Sequence, residues 1–207
     1  MTPHTESVQA SISNKECEPI EPNSYYAITK AAATMACRQV SSAKGLYIPT
    51  LRLYSVYGPY EDPKRLMPTM IGKGLAGTLP PLVDPDIARD FVYIDDVIDA
   101  YLKATTKKSN EFGPIYNVGS GTQTSIGDIV SVARKQFDIK TEPEWGSMDN
   151  RKWDSSNWVA NIEKIKTELG WQPQIPIDTG LERFASWIKS TEAVKSRYEY
   201  TPVDTLK

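Results

Sequence analysis

Histidine is nearly missing from this chain and cysteine is scarce: one His and two Cys occur in 207 residues. His4, Cys17 and Cys37 lie too far apart to suggest a zinc site or a disulfide framework, so no metal is expected. No histidine follows Cys37 to activate it, which makes it a small core residue rather than a nucleophile. An excess of charge of one sign is lacking too. The net charge is −2, and Lys and Arg are scattered along the chain, which leaves no electrostatic footprint for nucleic acid. No apolar run approaches the roughly 18 residues that a membrane helix requires. The first residues, Met-Thr-Pro-His-Thr-Glu-Ser, have neither the charged nor the apolar region of a signal peptide. The expectation is a cytoplasmic globular protein without membrane or nucleic-acid partners. Hydrophobic residues make up 40% of the chain, enough for one domain or one domain plus a small lobe.

What is present is an alternation of helical and β-rich runs. A polar stretch punctuated by Pro3, Pro19 and Pro22 leads into an Ala-rich helix from about Ser24 to Ser42, ended by Lys44-Gly45. The run Leu46 to Tyr57 reads as a buried strand closed by Gly58-Pro59. An apolar helix is expected near Leu66 to Leu75, then a strand over Asp90 to Ile94, with Asp95 capping the helix that carries Val97, Ile98, Tyr101 and Leu102. Pro114 to Val118 is a further β-run. It is followed by Gly119-Ser-Gly121 and a helix from about Ser125, with Asp128 placed as in a capping box. Asn161 to Leu169 and Asp178 to Ser190 read as two more helices, and the polar segment from Thr191 onward as a fraying tail. Strands alternating with helices predict an α/β chain around a largely parallel sheet.

Two groups of residues point to chemistry. Tyr26 and Lys30 stand four apart in the Ala-rich helix, a spacing that puts phenol and ammonium on one face. A nearby fixed positive charge favours the phenolate. Such a pair can move a proton to or from a sugar hydroxyl while a nicotinamide exchanges the hydride. The same spacing also occurs in an ordinary amphipathic helix, and Tyr60 with Lys64 repeats it where Pro63 excludes a regular helix. The strand-Gly119-Ser-Gly121-helix sequence is the second group. It imitates a dinucleotide fingerprint, with Thr124 in place of the third glycine and Glu142 as the acidic residue further on, and it equally fits a tight structural turn.

In order along the chain, Pro22-Asn-Ser-Tyr-Tyr26-Ala-Ile-Thr-Lys30, Leu51-Arg52-Leu-Tyr54-Ser55-Val-Tyr57-Gly58-Pro59, Arg89-Asp90-Phe91-Val-Tyr-Ile-Asp95-Asp96-Val97 and Tyr116-Asn117-Val-Gly119-Ser-Gly121 form a series that Arg151, Gly170-Trp171-Gln-Pro173 and Gly180-Leu181 continue. This series resembles the extended short-chain dehydrogenase/reductase family of NAD-dependent nucleotide-sugar epimerases, dehydratases and reductases. The resemblance implies the C-terminal part of a Rossmann-like doubly wound parallel sheet plus a small α/β substrate-binding lobe. Residues 1–58 would be the remainder of the dinucleotide-binding domain. Residues 59–190 would mix the substrate lobe with the last Rossmann strand and helix, and 191–207 would be a flexible tail.

By the same resemblance Tyr26 is the acid/base at the sugar hydroxyl, and Lys30 holds the nicotinamide ribose of NAD or NADP. Tyr54 lies beside the nicotinamide, Ser55 contacts the substrate, and Arg89 and Arg151 clamp the diphosphate of a nucleotide-diphosphate sugar, for which forked guanidinium groups are suited. Alternatively the two arginines tie the lobe to the sheet through acidic neighbours. Ser55 stands where the family usually has Asn, and Tyr25 where many relatives have proline. The family's opening strand, Gly-rich turn and acidic ribose-binding residue have no counterpart before Tyr26. Two expectations follow: an epimerase, dehydratase or 4-keto reductase, homodimeric at full length, or an inactive remnant that binds nucleotide sugar or a separate N-terminal half.

Overall fold

Residues 13–107, 111–148 and 158–198 are described by the computed structural model. The Ala-rich run forms α1 (Tyr25–Lys44), entered at Ser24, whose Oγ accepts from the Ala27 N–H, and left at Gly45 with φ 64°. The hydroxyl satisfies an orphan donor of the first turn, and glycine takes the left-handed backbone that ends the last one.

The run expected as one strand from Leu46 to Tyr57 divides into β1 (Thr50–Leu53) and β2 (Ser55–Tyr57). β1 is parallel to β5 (Ile115–Val118), with Thr50 opposite Ile115 and Leu53 opposite Val118. β2 is parallel to β4 (Phe91–Tyr93), with Ser55 opposite Phe91. The exchange of partners takes two residues: the Tyr54 N–H donates to the Val118 carbonyl at 3.0 Å and the Ser55 N–H to the Asp90 carbonyl at 2.9 Å. The run thus lies between β5 and β4, pairing its first half with one and its second half with the other. A short antiparallel pair, β3 (Ala88–Arg89) with β6 (Thr124–Ser125), sets Arg89 opposite Thr124.

Helices α2 (Leu66–Leu75), α4 (Ile126–Phe137) and α6 (Ile177–Ile188) gather around a core that includes Tyr57, Met70, Ile129 and Phe184. Helices α3 (Ile94–Thr106) and α5 (Glu163–Leu169) cover the strands in a second cluster built on Val92, Tyr116, Val118 and Trp171. The α4 start is the capping box expected from Ser125 and Asp128. At α3 the expectation is corrected: Tyr93 is the N-cap, and Asp95 sits with Asp96 in the first turn, where the helix dipole favours negative charge. Asp96 is buried, and its carboxylate accepts from the Gln174 and Ile175 N–H groups while its carbonyl takes the Trp171 indole N–H. That one residue anchors the turn between α5 and α6. Gly180 is required because a Cβ there would come within 2.0 Å of the Tyr57 hydroxyl.

The segment read as a tail from Thr191 begins with a packed helix, α7 (Glu192–Tyr198). The Thr191 hydroxyl accepts from the Val194 N–H, and buried Tyr198 donates to the Glu61 carbonyl at 2.7 Å. Its ring also stands edge-on to Phe184 and Trp187. Two apolar contacts from one helical turn suffice to hold a segment that is otherwise polar.

Candidate functional site

Tyr26 and Lys30 occupy the first turns of α1, and Lys30 Nζ stands 5.4 Å from the centre of the Tyr26 ring. The helical spacing brings them side by side. Tyr26 is 72% exposed and Tyr25 90% exposed, so no described element covers this end of the helix. The middle of α1 lies against Gly113, where a Cβ would come within 2.7 Å of Arg38 Cα.

Two further predicted residues, Tyr54 and Ser55, stand where the β1–β2 run changes partner. Tyr54 is half-buried, and its ring stands edge-on to Trp158 at 6.3 Å. Burial pushes its phenol above the usual range; a hydrogen bond with Asn14 opposes this, and the Asp90, Glu16 and Glu18 carboxylates add to it. Tyr54 is thus held as a neutral phenol. Ser55 follows with its N–H on the Asp90 carbonyl, and half-buried Arg89 directly precedes Asp90 in the chain. Tyr54 and Ser55 directly follow the carboxyl end of β1, the edge at which parallel sheets take up ligands, while Arg89 stands in β3 opposite Thr124. Arg151 lies outside the described residues. A cavity of about 510 Å³ lined by Lys15, Arg38, Gly113, Ile115 and Lys164 opens at the opposite, amino end of β5.

Asp90 has no role in the sequence reading, yet it organises this end of the molecule. It is fully buried. Its Oδ1 accepts from the Ser120 N–H and, at 2.7 Å, from the Ser120 hydroxyl, while its Oδ2 accepts from the Gly121 and Ala160 N–H groups, each at 3.0 Å. The signal was available: a carboxylate flanked by Phe91, Val92 and Tyr93 in a strand must find donors where it is buried. This arrangement decides the glycine turn. Two of its N–H groups are spent on an internal carboxylate, and Glu142 instead forms a two-pronged pair with Arg134 at 2.7 and 3.1 Å. Gly119-Ser-Gly121 is a structural turn and offers no cradle for a dinucleotide. Tyr26, Lys30 and Tyr54, to which the resemblance gives the nicotinamide-ribose end of the cofactor, lie on the first turns of α1 and directly after β1.

The profile of the NAD dependent epimerase/dehydratase family matches residues 3–119. The chain is 29% identical over 181 residues to the dTDP-glucose 4,6-dehydratase of Xanthomonas campestris, covering 83% of this chain and 51% of that protein. It is 30% identical over 182 residues to UDP-glucuronate 4-epimerase 5 of Arabidopsis thaliana, covering 81% and 42%. Among solved structures it is similar to the UDP-glucuronic acid 4-epimerase of Bacillus cereus in complex with UDP-glucuronic acid and NAD. That superposition has a TM-score of 0.77 at 29% identity and covers 86% of this chain and 57% of that one. The dTDP-glucose 4,6-dehydratase of Bacillus anthracis in complex with NAD gives a TM-score of 0.77 at 26% identity, covering 90% and 59%. The chain therefore spans about half the length of these relatives. The family match takes in more than half of the chain and includes α1, the β1–β2 run and β5, so this chain belongs to the NAD dependent epimerase/dehydratase family.

Proposed function

We propose that this chain carries the acid/base pair and the substrate-holding end of a cytoplasmic NAD(P)-dependent epimerase, dehydratase or 4-keto reductase acting on a nucleotide-diphosphate sugar. The observation that carries this reading is the Lys30 ammonium 5.4 Å from the Tyr26 ring centre on an uncovered helix turn. Bound NAD supplies acceptance and return of the hydride. Tyr26 Oη takes the proton from the sugar hydroxyl, or returns it, and the Lys30 charge stabilises the phenolate as the proton leaves. Arg89 holds diphosphate oxygens, with Arg151 as its counterpart, while Tyr54 and Ser55 bound the space in which nicotinamide and sugar meet. Pairing of two copies is part of the same reading. The test is NADH formation and C4 epimerisation with UDP-glucuronic acid and NAD as probes. Tyr26→Phe is expected to lose activity by about 10²–10⁴-fold. Activity close to that of the parent would remove Tyr26 from the mechanism.

A second reading is favoured by α1 itself, which leaves Tyr25, Met35 and Val40 exposed. In it the chain binds nucleotide sugar or pairs with a separate dinucleotide-binding half, and performs no redox chemistry alone. Hydride exchange by the 207-residue chain with added NAD would sink that reading.

A further inference from the structure

Asp90 is buried completely, and among the described residues no lysine or arginine donates a hydrogen bond to its carboxylate. Its charge is held by backbone N–H groups and one hydroxyl, the donor set that a helix end or turn ordinarily offers a phosphate. The donors come from two places distant in sequence, the Ser120–Gly121 turn after β5 and Ala160, which itself forms a parallel bridge with Asn14. Gly119 is pressed against the carboxylate: a Cβ there would lie 2.5 Å from Oδ2 and 2.7 Å from the Ala160 Cβ. Through its own carbonyl Asp90 accepts from the Ser55 N–H, and one position earlier the chain presents Arg89.

We propose that Asp90 is the positioning residue of the substrate end: its carboxylate fills the 119–121 turn as an internal anion and thereby sets Arg89, Ser55 and Tyr54 relative to β5. This rests on the diphosphate reading of Arg89 given above. The carboxylate closes the turn to phosphate, and the diphosphate reading assigns the ligand to Arg89, the residue next to it in the chain. Asp90 touches no reacting atom in this scheme and acts through its neighbours.

The test compares the parent chain with Asp90→Asn, Arg89→Ala, the double variant and the milder Ser120→Ala. UDP is the binding probe, and NMR follows the Arg89 Nε–H, the Tyr54 ring and the exchange of the Ser120, Gly121 and Ala160 amides. Asp90→Asn leaves at least one donor facing an amide NH₂, so UDP binding is expected to weaken by about tenfold to a hundredfold. The double variant is expected to bind no more weakly than Arg89→Ala alone, since the two act through one contact. Ser120→Ala, which removes one of the four bonds to the carboxylate together with the hydroxyl's two contacts to the Thr122 backbone, should show the same changes at smaller size and serves if Asp90→Asn does not fold. Arg89 and Tyr54 signals that stay at their parent positions while the three amides lose protection would overturn the proposal, whatever UDP does. So would displaced signals with UDP affinity unchanged. Displaced signals in a parent chain that binds no UDP would uphold the positioning role and discard the diphosphate reading, so the two can fail separately.

Discussion

Helices α1 and α6 set two regions of this molecule apart. Over its 20 residues α1 buries a single one, Ser41, whereas the 12 residues of α6 bury Gly180, Leu181, Phe184, Ala185 and Ile188. The helix that carries the Tyr–Lys pair has little packing among the described residues. The helix that carries no predicted chemistry belongs to a self-contained core. Stability and the proposed chemistry are thus lodged in different places, and substitutions should separate them.

The sharpest separation comes from Phe184→Ala. This side chain is fully buried and meets Trp187 and Tyr198, so its removal should cost about 3–5 kcal/mol in urea unfolding. A loss below about 1 kcal/mol would mean that the core is not closed around α6. Gly180→Ala comes next, at about 1–3 kcal/mol, because the new Cβ would meet the buried Tyr57 hydroxyl at 2.0 Å and the ring has no room to retreat. That hydroxyl has no hydrogen-bond partner among the described residues. Tyr57→Phe should accordingly be tolerated, and combined with Gly180→Ala it should recover part of the loss; strict additivity would break the steric explanation.

A subtler contrast appears in pH. Glu61, under α7, has one carboxylate oxygen buried without a partner among the described residues, and burial raises its pKa from 4.5 to about 7 against the opposing pull of Arg65. Between those values the folded state binds the proton and the unfolded state does not. The contribution is therefore complete below about 4.5 and is lost as pH rises through about 7. Glu61→Gln should flatten that slope in thermal melts from pH 5 to 8. An unchanged slope would place its origin elsewhere in the chain.

The two regions also differed in how far the sequence could be read. Local signals carried well: Ser24 and Gly45 bound α1, Ser125 with Asp128 opens α4, and the spacing of Tyr26 and Lys30 alone puts them on one face. Information that depends on tertiary partners did not carry. The β1–β2 run looks continuous by composition, and only the places of β4 and β5 divide it. The polarity of 192–198 hid a helix held by Tyr198, since two apolar residues do not announce a packed face. Asp90 was visible as a letter in a motif, but its function lies in donors at positions 120, 121 and 160 that no local pattern brings together.

The smallest expected effect bears on α1. Met35 is 69% exposed in the middle of that helix, and a lysine there has good helix propensity. If α1 is packed as loosely as the described residues indicate, Met35→Lys changes the stability of this chain by no more than about 0.5 kcal/mol. A large loss would mean that the exposed face is covered in the chain itself, and the contrast with α6 would collapse. The same substitution tests α1 as an association face if association is measured beside unfolding. A charged side chain at the centre of an apolar contact abolishes pairing of copies or of halves while leaving the monomer intact, because an unpaired ammonium loses its water only on association. Unchanged unfolding with lost association would make α1 a face kept for a partner, with the Tyr–Lys pair at its rim.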